Sequence, residues 1–251
     1  MVLILNIDIK KGRVSKIHLG GLELKHIPEC IRDLTLLENL NVQCNSLKAI
    51  PEWIGEFKVL KTLKIEDNII KKLPKEIENL QHLEEFYARG NQIEYLPESI
   101  GALKLLIILE LYQNQLEKIP ETVGNLSSLE KLDLHENQLV SLPESIGSLV
   151  SLRKLILHKN KLTDLPDSII NLNSLRELYL SRNDINILLP SIGKIRNLEI
   201  LSISYNPIYK FPESLYFSEN LRDLYIGSTH LRKDLLFLGD FRSKLLRIYD
   251  Y

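Results

Sequence analysis

Apolar residues return along this chain at a fixed spacing that no single helix or strand would produce. The stretch 129–151, LEKLDLHENQLVSLPESIGSLVS, repeats its skeleton every 23 residues in both directions. A fixed period between 20 and 50 residues is typical of a solenoid, in which each repeat stacks on its neighbours. The pattern therefore predicts one elongated domain. Its ten repeats begin at equal steps, at Val14, Leu37, Leu60, Leu83, Leu106, Leu129, Leu152, Leu175, Leu198 and Leu221.

Each repeat opens with the spacing of a β-strand. In the sixth repeat Leu132 and Leu134 alternate with polar residues at a period of two, so the leucines point inward and the polar residues outward. Stacked copies of this strand predict a parallel sheet. An asparagine follows the strand in eight repeats, and its amide can donate and accept hydrogen bonds where the chain turns off the sheet. These asparagines are Asn45, Asn68, Asn91, Asn114, Asn137, Asn160, Asn183 and Asn206.

A proline and an acid then mark the return of the chain on the opposite side, as in Pro143-Glu144. Proline is tolerated at the start of a helical turn, and a carboxylate there suits the positive end of the helix dipole. We expect a short helical turn on this convex side, anchored by residues such as Ile146. The acids could also form a binding stripe, but stabilisation of the turns explains them more simply. In the eighth repeat Leu189 and Pro190 come one residue late, which predicts a local distortion.

The two ends depart from the repeat. Leu3, Leu5, Ile7 and Ile9 alternate with other residues and precede a turn at 10–13. This pattern predicts a strand that pairs back on the first repeat as a hairpin and covers the sheet edge.

At the other end the period fades after Leu231, and Phe241, Leu245 and Ile248 have helical spacing. We predict a short amphipathic helix that covers the last repeat, with a partner-docking helix or a contact to a further domain as the alternative. The domain division is an N-terminal cap at 1–13, the solenoid at 14–231 and a C-terminal cap at 232–251.

The motif L-x-x-L-x-L-x-x-N-x-L-x-x-L-P-x-x-I-G-x-L resembles the 23-residue leucine-rich repeat of Ras-group and Scribble-type scaffolds and of many bacterial proteins. The resemblance runs from Val14 to about Leu231. Leu22 and Thr229 replace the asparagine in the terminal repeats, as capping repeats often do. The family implies an α/β repeat fold, a curved leucine-rich repeat solenoid whose parallel concave β-sheet binds other proteins, with short helical turns on the convex side. It implies neither the partner nor the source kingdom.

Composition and charge narrow the function further. The net charge of −1 creates no global field that would recruit nucleic acid or an anionic membrane. Cys30 and Cys44 occupy different repeat positions, which fits neither a disulfide framework nor a metal cluster. The chain has no apolar run near the ~20 residues that span a bilayer, and its N-terminus does not resemble a signal peptide. We expect a cytoplasmic monomer, or a secreted protein if a signal was removed.

Binding residues are expected where outward positions of the strands carry aromatic, apolar and charged side chains. Exposed aromatic residues beside arginine are typical of interface hot spots, although sheet surfaces favour aromatic and β-branched residues in any case. The patch lies over the fourth to eighth repeats. Its predicted partner-binding residues are Tyr87, Arg89, Ile108, Glu110, Tyr112, Asp133, His135, Ile156, His158, Tyr179 and Arg182.

Two other interpretations of this surface are weaker. His135 and His158 would need a third donor to hold a metal, and the ordered spacing of histidine ligands is absent, so no metal or other cofactor is expected. No phosphate-binding loop, nucleophile elbow or H-E-x-x-H motif occurs, so no enzymatic activity is expected either.

A basic cluster in and beside the seventh repeat, which includes Arg153 and Lys159, could steer an acidic partner. Glu130 and Glu136 stand opposite these two residues, and cross-strand ion pairing is an equal explanation. The leading hypothesis is a non-catalytic scaffold that binds a protein on its concave face. The alternatives are a recognition module of a larger kinase or GTPase, and a secreted or surface bacterial protein that engages a host molecule.

Overall fold

The computed structural model describes residues 6–10, 12–231 and 247–250 of the chain. Their strands form one sheet of twelve strands that follow one another in chain order. The first pair is antiparallel and every later pair is parallel. The strands are β1 Asn6–Lys10, β2 Arg13–His18, β3 Asn39–Asn41, β4 Thr62–Lys64, β5 Glu85–Tyr87, β6 Ile108–Glu110, β7 Lys131–Asp133, β8 Lys154–Ile156, β9 Glu177–Tyr179, β10 Ile200–Ser202, β11 Asp223–Tyr225 and β12 Arg247–Tyr249.

The equal repeat length fixes the register of the parallel sheet. Leu132 in β7 pairs with Leu109 in β6 and with Leu155 in β8, so each partner lies 23 residues away. All three leucines are fully buried. A change of register by one residue would turn the whole apolar set outward, which is why a buried face specifies the register strongly. The predicted parallel sheet and its repeat are confirmed.

The convex side carries short 3-10 helices, as the proline pattern predicted. Each of the longer ones follows a proline in extended conformation, such as Pro143 with φ −70° and ψ 152°. The helix of the eighth repeat has only three residues and follows Ser191, which confirms the predicted distortion. Within the described residues the helices are Glu29–Ile31, Glu52–Glu56, Lys75–Asn79, Glu98–Ala102, Glu121–Asn125, Glu144–Ser148, Asp167–Asn171, Ile192–Lys194 and Glu213–Phe217.

Two of the acidic side chains on the convex side accept hydrogen bonds from the backbone of the next repeat. The backbone N–H of Ser145 donates to Glu121 Oε2 at 3.1 Å, and that of Ser168 donates to Glu144 Oε2 at 3.2 Å. Unpaired N–H groups at the start of a helical turn are commonly satisfied by a nearby side-chain acceptor. These contacts support a stabilising role for the acids rather than a binding stripe.

The predicted asparagine ladder is present and links adjacent repeats. Asn137 accepts a hydrogen bond from the backbone N–H of Leu116 at 3.0 Å, and its Nδ2 donates to the carbonyls of Leu111 and Leu134 at 3.0 Å each. Two of these partners belong to the preceding repeat. The residue before the asparagine has a positive φ, 53° at Glu136, which turns the chain off the sheet.

The N-terminal hairpin is confirmed for residues 6–10, since β1 pairs with β2 through Ile7–Ile17 and Asp8–Lys16. Leu3 and Leu5 of the predicted strand lie outside the described residues. Residues Phe241 and Leu245 of the predicted C-terminal helix lie outside the described residues. The prediction was wrong for Ile248, which lies in β12 and pairs with Leu224 of β11. Ile248 alternates with Arg247 and Tyr249, as residues of a strand do. The edge of β11 offers backbone hydrogen-bond partners to such a strand. The boundaries of the predicted cap domains stay a prediction.

Candidate functional site

The concave face is the set of outward side chains on and just after strands β2–β11. Each repeat contributes three of them, which are Lys131, Asp133 and His135 in the sixth repeat. Because neighbouring parallel strands lie about 4.8 Å apart, equivalent side chains of successive repeats form three columns along the solenoid. The predicted partner-binding residues lie on this face or at its edge.

Four planar side chains of the third column form a continuous series, which we call the ring stack: Arg89, Tyr112, His135 and His158. The Arg89 guanidinium lies 5.7 Å from the centroid of the Tyr112 ring. The rings of Tyr112 and His135 are 4.3 Å apart with an interplanar angle of 12°, and those of His135 and His158 are 4.3 Å apart at 21°. The strand spacing matches the separation of stacked rings, so identical positions in successive repeats can stack without distortion.

Asp133 holds the middle of the ring stack in place. Its Oδ1 lies 2.6 Å from His135 Nδ1 and accepts the backbone N–H of His135 at 3.3 Å. Asp133 is only 4% exposed. Burial and the neighbouring His135 ring lower the pKa of His158, because both disfavour its charged form. At neutral pH the His158 end of the stack is therefore uncharged.

Two of the predicted contact residues are not exposed. Ile156 is 8% exposed and Asp133 is 4% exposed, so the prediction that Ile156 presents an open apolar surface was wrong. In the register of the sheet Asp133 lies beside Glu110, and Ile156 lies beside Tyr179. Ile108, between Glu85 and Lys131 in the register of β5–β7, stays partly exposed.

The aromatic residues of the second column are held by charged neighbours. Lys64 Nζ lies 4.9 Å from the Tyr87 ring centroid and Lys154 Nζ lies 5.2 Å from that of Tyr179. The Tyr179 hydroxyl donates to Glu177 at 2.9 Å. Burial raises the pKa of Tyr87 to about 12, and burial with the Glu177 contact raises that of Tyr179 further. Both hydroxyls therefore remain protonated over the physiological range.

The remaining two predicted residues also contact their neighbours. Lys131 Nζ and Glu110 Oε1 form a partly buried ion pair at 2.6 Å. The Arg182 guanidinium lies 4.6 Å from the ring of Tyr205, which is 47% exposed. Tyr205 directly precedes the ladder residue Asn206, outside the three columns, so the column pattern gave no signal for it.

Three basic residues of the seventh repeat pair with acids of a neighbouring repeat. Arg153 lies 3.6 Å from Glu130 and Lys159 lies 2.5 Å from Glu136, the two acids that stand opposite them in the sequence pattern. Lys154 pairs in turn with Glu177 at 2.7 Å. These contacts support the ion-pair explanation over a free basic patch. Among the described residues no group of three or more histidine, cysteine or acidic side chains is placed to hold a metal ion.

A polar depression at the N-terminal end of the concave face was not anticipated. A cavity of about 290 Å³ lies across β1–β4, lined mainly by hydrophilic side chains. Its positions carry asparagine, threonine, lysine and histidine in place of aromatic residues, so they lack the composition typical of hot spots. The cavity is lined by Asp8, Lys16, Ile17, His18, Asn39, Leu40, Asn41, Thr62 and Lys64.

The parallel sheet, the asparagine ladder and the 3-10 returns together define a solenoid repeat protein with a broad side-chain platform on its sheet. The family described as leucine-rich repeat region matches residues 54–142 and 106–210, which together cover more than half of the chain. The chain belongs to this family. In the part of the chain that has been described, no helix is long and apolar enough to cross a membrane.

Solved structures agree with this family. The leucine-rich repeat protein LIC12759 of Leptospira interrogans is 32% identical with a TM-score of 0.78, and the match covers 82% of this chain and 59% of that one. The ectodomain of the receptor kinase GASSHO1/SCHENGEN3 from Arabidopsis thaliana, in complex with CASPARIAN STRIP INTEGRITY FACTOR 2, is 27% identical with a TM-score of 0.76, and the match covers 87% of this chain and 30% of that one. InlJ from Listeria monocytogenes, at 17% identity and a TM-score of 0.69 over 94% of this chain and 53% of that one, shares the fold. The chain thus spans less than two thirds of each of these relatives, and the comparison with curated protein sequences finds no match.

Proposed function

We propose that the chain is a non-catalytic protein-binding module that receives a protein partner on the concave face over the fourth to eighth repeats. The ring stack carries this proposal. Its arginine, tyrosine and histidine side chains are half-buried and already ordered by contacts with one another, so a partner would lose little side-chain entropy in binding them. Tyrosine and arginine at the centre of a surface are also the residues enriched in hot spots.

Ordered charges around the stack support specificity rather than general stickiness. Glu110–Lys131 and Glu177–Lys154 form ion pairs on the strands beside it, at 2.6 and 2.7 Å. Paired charges at the edge of an interface select partners by complementarity and contribute little raw affinity. The similar ectodomain that is solved in complex with CASPARIAN STRIP INTEGRITY FACTOR 2 supports a binding role by analogy.

The cellular setting is a further part of the proposal. We favour a cytoplasmic monomeric scaffold because of the near-neutral net charge and the type of repeat. A recognition module of a larger signalling protein is the second candidate, because one similar structure is the ectodomain of a receptor kinase whose chain is much longer. A secreted or surface bacterial protein that engages a host molecule remains the third.

The experiment compares partner capture by three folded forms of the chain. The double variant Tyr112→Ala/His158→Glu removes one ring and puts a charge into the stack. The matched control Tyr95→Ala/His82→Glu makes the same two changes at exposed residues off the concave face. We expect partners isolated by the unmodified chain to be retained by the control and lost from the stack variant, with circular dichroism melts verifying that all three fold. Equal binding by all three forms would contradict the proposal.

A further inference from the structure

The N-terminal cavity differs in chemistry from the rest of the concave face. Asn39 and Asn41 stand in the middle of it, on β3, in register with Lys16 and His18 of β2 and with Thr62 and Lys64 of β4. Its volume of about 290 Å³ lies at the lower end of the range for ligand sites, which suits one side chain rather than a whole metabolite. The short side chains of Asn39, Asn41 and Thr62 lie in this depression beside the longer ones of Lys16, His18 and Lys64.

Lys64 stands out among the lysines of the two columns formed by the strand residues. Lys16 pairs with Asp8 at 3.3 Å, Lys131 with Glu110 at 2.6 Å and Lys154 with Glu177 at 2.7 Å. Within the described residues, by contrast, no carboxylate oxygen lies within the 4.0 Å ion-pair distance of Lys64 Nζ, which lies over the Tyr87 ring. Its charge is therefore compensated by the Tyr87 ring face, by solvent and by the Glu66 carboxylate, with which it interacts electrostatically beyond the ion-pair distance.

The amides of the cavity add donors to this charge. Asn41 Oδ1 accepts the backbone N–H of Gln43 at 3.0 Å, which leaves its NH₂ group directed to other partners. The Asn39 side chain makes no hydrogen bond with the described residues. A lysine ammonium and two amide groups form a donor-rich set that matches an anionic oxygen pair, since charge-assisted hydrogen bonds are the strong ones.

The acids near the cavity are already engaged or separated from it. Asp8 lies on the rim and pairs with Lys16. Glu85 accepts the Thr62 hydroxyl at 3.4 Å, and Glu66, which interacts electrostatically with Lys64, is 8% exposed and does not line the cavity. Of the residues that line the cavity Lys16 and Lys64 are basic and Asp8 is acidic, so the lining carries more positive than negative charge.

We propose that this cavity is a subsite for the carboxylate of an aspartate or glutamate side chain in the bound partner, with Lys64, Asn39 and Asn41 as its donors. This inference rests on the proposed function in assuming a protein partner. The preference for a carboxylate rests on the residues of the cavity alone. A protein lying along the concave face would meet the ring stack and this subsite on the same surface. An acidic side chain would thereby fix its position along the solenoid.

The test uses a small probe, so that it does not depend on finding the partner. N-acetyl-glutamate N-methylamide is titrated into isotope-labelled protein, and the side-chain amide signals of Asn39 and Asn41 are followed by NMR. The neutral isostere N-acetyl-glutamine N-methylamide and inorganic phosphate are titrated in parallel. We expect saturable shifts with the glutamate probe, weaker ones with the neutral probe, and a loss of affinity of about tenfold in Lys64→Gln, the size expected for a hydrogen bond to a charged group.

The variant Lys71→Gln is the matched control, because it removes an exposed lysine that already has an acidic partner, Glu94 at 3.9 Å. It should leave the titration unchanged. Equal shifts with both capped probes, an unchanged affinity in Lys64→Gln, or tighter binding of phosphate than of the glutamate probe would each overturn the carboxylate assignment. None of these results bears on the ring stack, so failure of this subsite is distinguishable from failure of the proposed function.

Discussion

The asparagine ladder gives a sharp prediction for stability. In Asn137→Ala the backbone N–H of Leu116 loses its acceptor at 3.0 Å, and the carbonyls of Leu111, Leu134 and His135 lose a donor at 3.0, 3.0 and 3.3 Å. Asn137 is only 8% exposed, so water does not readily replace the amide. The substitution therefore leaves buried backbone groups under-satisfied at the junction of two repeats.

The size of the stability loss depends on which backbone groups keep another hydrogen-bond partner. The Leu111 carbonyl still accepts from Asn114 Nδ2 at 2.9 Å, and the Leu134 carbonyl from Asn160 Nδ2 at 3.0 Å. Only the Leu116 N–H is left without a side-chain acceptor, at a cost of about 1–3 kcal/mol, and each lost carbonyl bond adds about 1 kcal/mol. We expect the free energy of unfolding to fall by roughly 4–6 kcal/mol.

The assay is urea unfolding followed by far-ultraviolet circular dichroism, with hydrogen exchange of the Leu116 amide as a local readout. The control is Gln138→Ala, the next residue, whose partly exposed side chain accepts a hydrogen bond from Lys161 and from no other described residue. It should change the stability by less than about 0.5 kcal/mol. A loss below about 1 kcal/mol in Asn137→Ala, or unchanged protection of the Leu116 amide, would refute the reasoning.

Three further predictions concern charges. His158 should titrate below its ordinary pKa in NMR. Because the unfolded chain then binds more protons than the folded one, stability should fall as the pH drops below about 6.5. The variant His158→Gln should remove this dependence. Tyr87 should ionise near pH 12 in an ultraviolet titration. Its contribution to stability is therefore complete below about pH 10 and is lost as the pH rises to about 12. Ionisation at the ordinary tyrosine pKa would contradict the burial of Tyr87. Arg153→Ala should change stability by less than about 1 kcal/mol in denaturant unfolding, because the pair with Glu130 is exposed, and a larger loss would show that it is not an isolated surface pair.

Much of the solenoid was predictable because each of its features is local and repeated. The alternation around Leu132 predicts a strand, Asn137 predicts the turn after it and Pro143 predicts the start of the convex helix. A single copy of this pattern would be weak. Ten copies in equal register leave few other arrangements, because only stacking buries every apolar row. The local irregularity at Leu189 and Pro190 was readable for the same reason.

The binding surface was predictable only as a face. The pattern places Tyr112, His135 and His158 in one column, but the stack of their rings depends on rotamers and on the carboxylate of Asp133. Likewise, Ile156 points to the concave side and is nevertheless buried by its neighbours. Side-chain exposure on a crowded sheet is set by the sizes of residues 23 positions away, which no local window contains.

The sequence by itself determined the repeat, the register and the sides on which core and surface residues lie, because a period of 23 turns a one-dimensional pattern into a stacked one. The tertiary structure alone decided which outward side chains are available. It paired Arg153 and Lys159 with acids of the preceding repeat, left Lys64 beside a cavity of small polar residues, and placed Ile248 in a twelfth strand. These outcomes depend on distances of only a few ångströms between side chains of neighbouring repeats. Side-chain packing rather than the repeat period sets these distances.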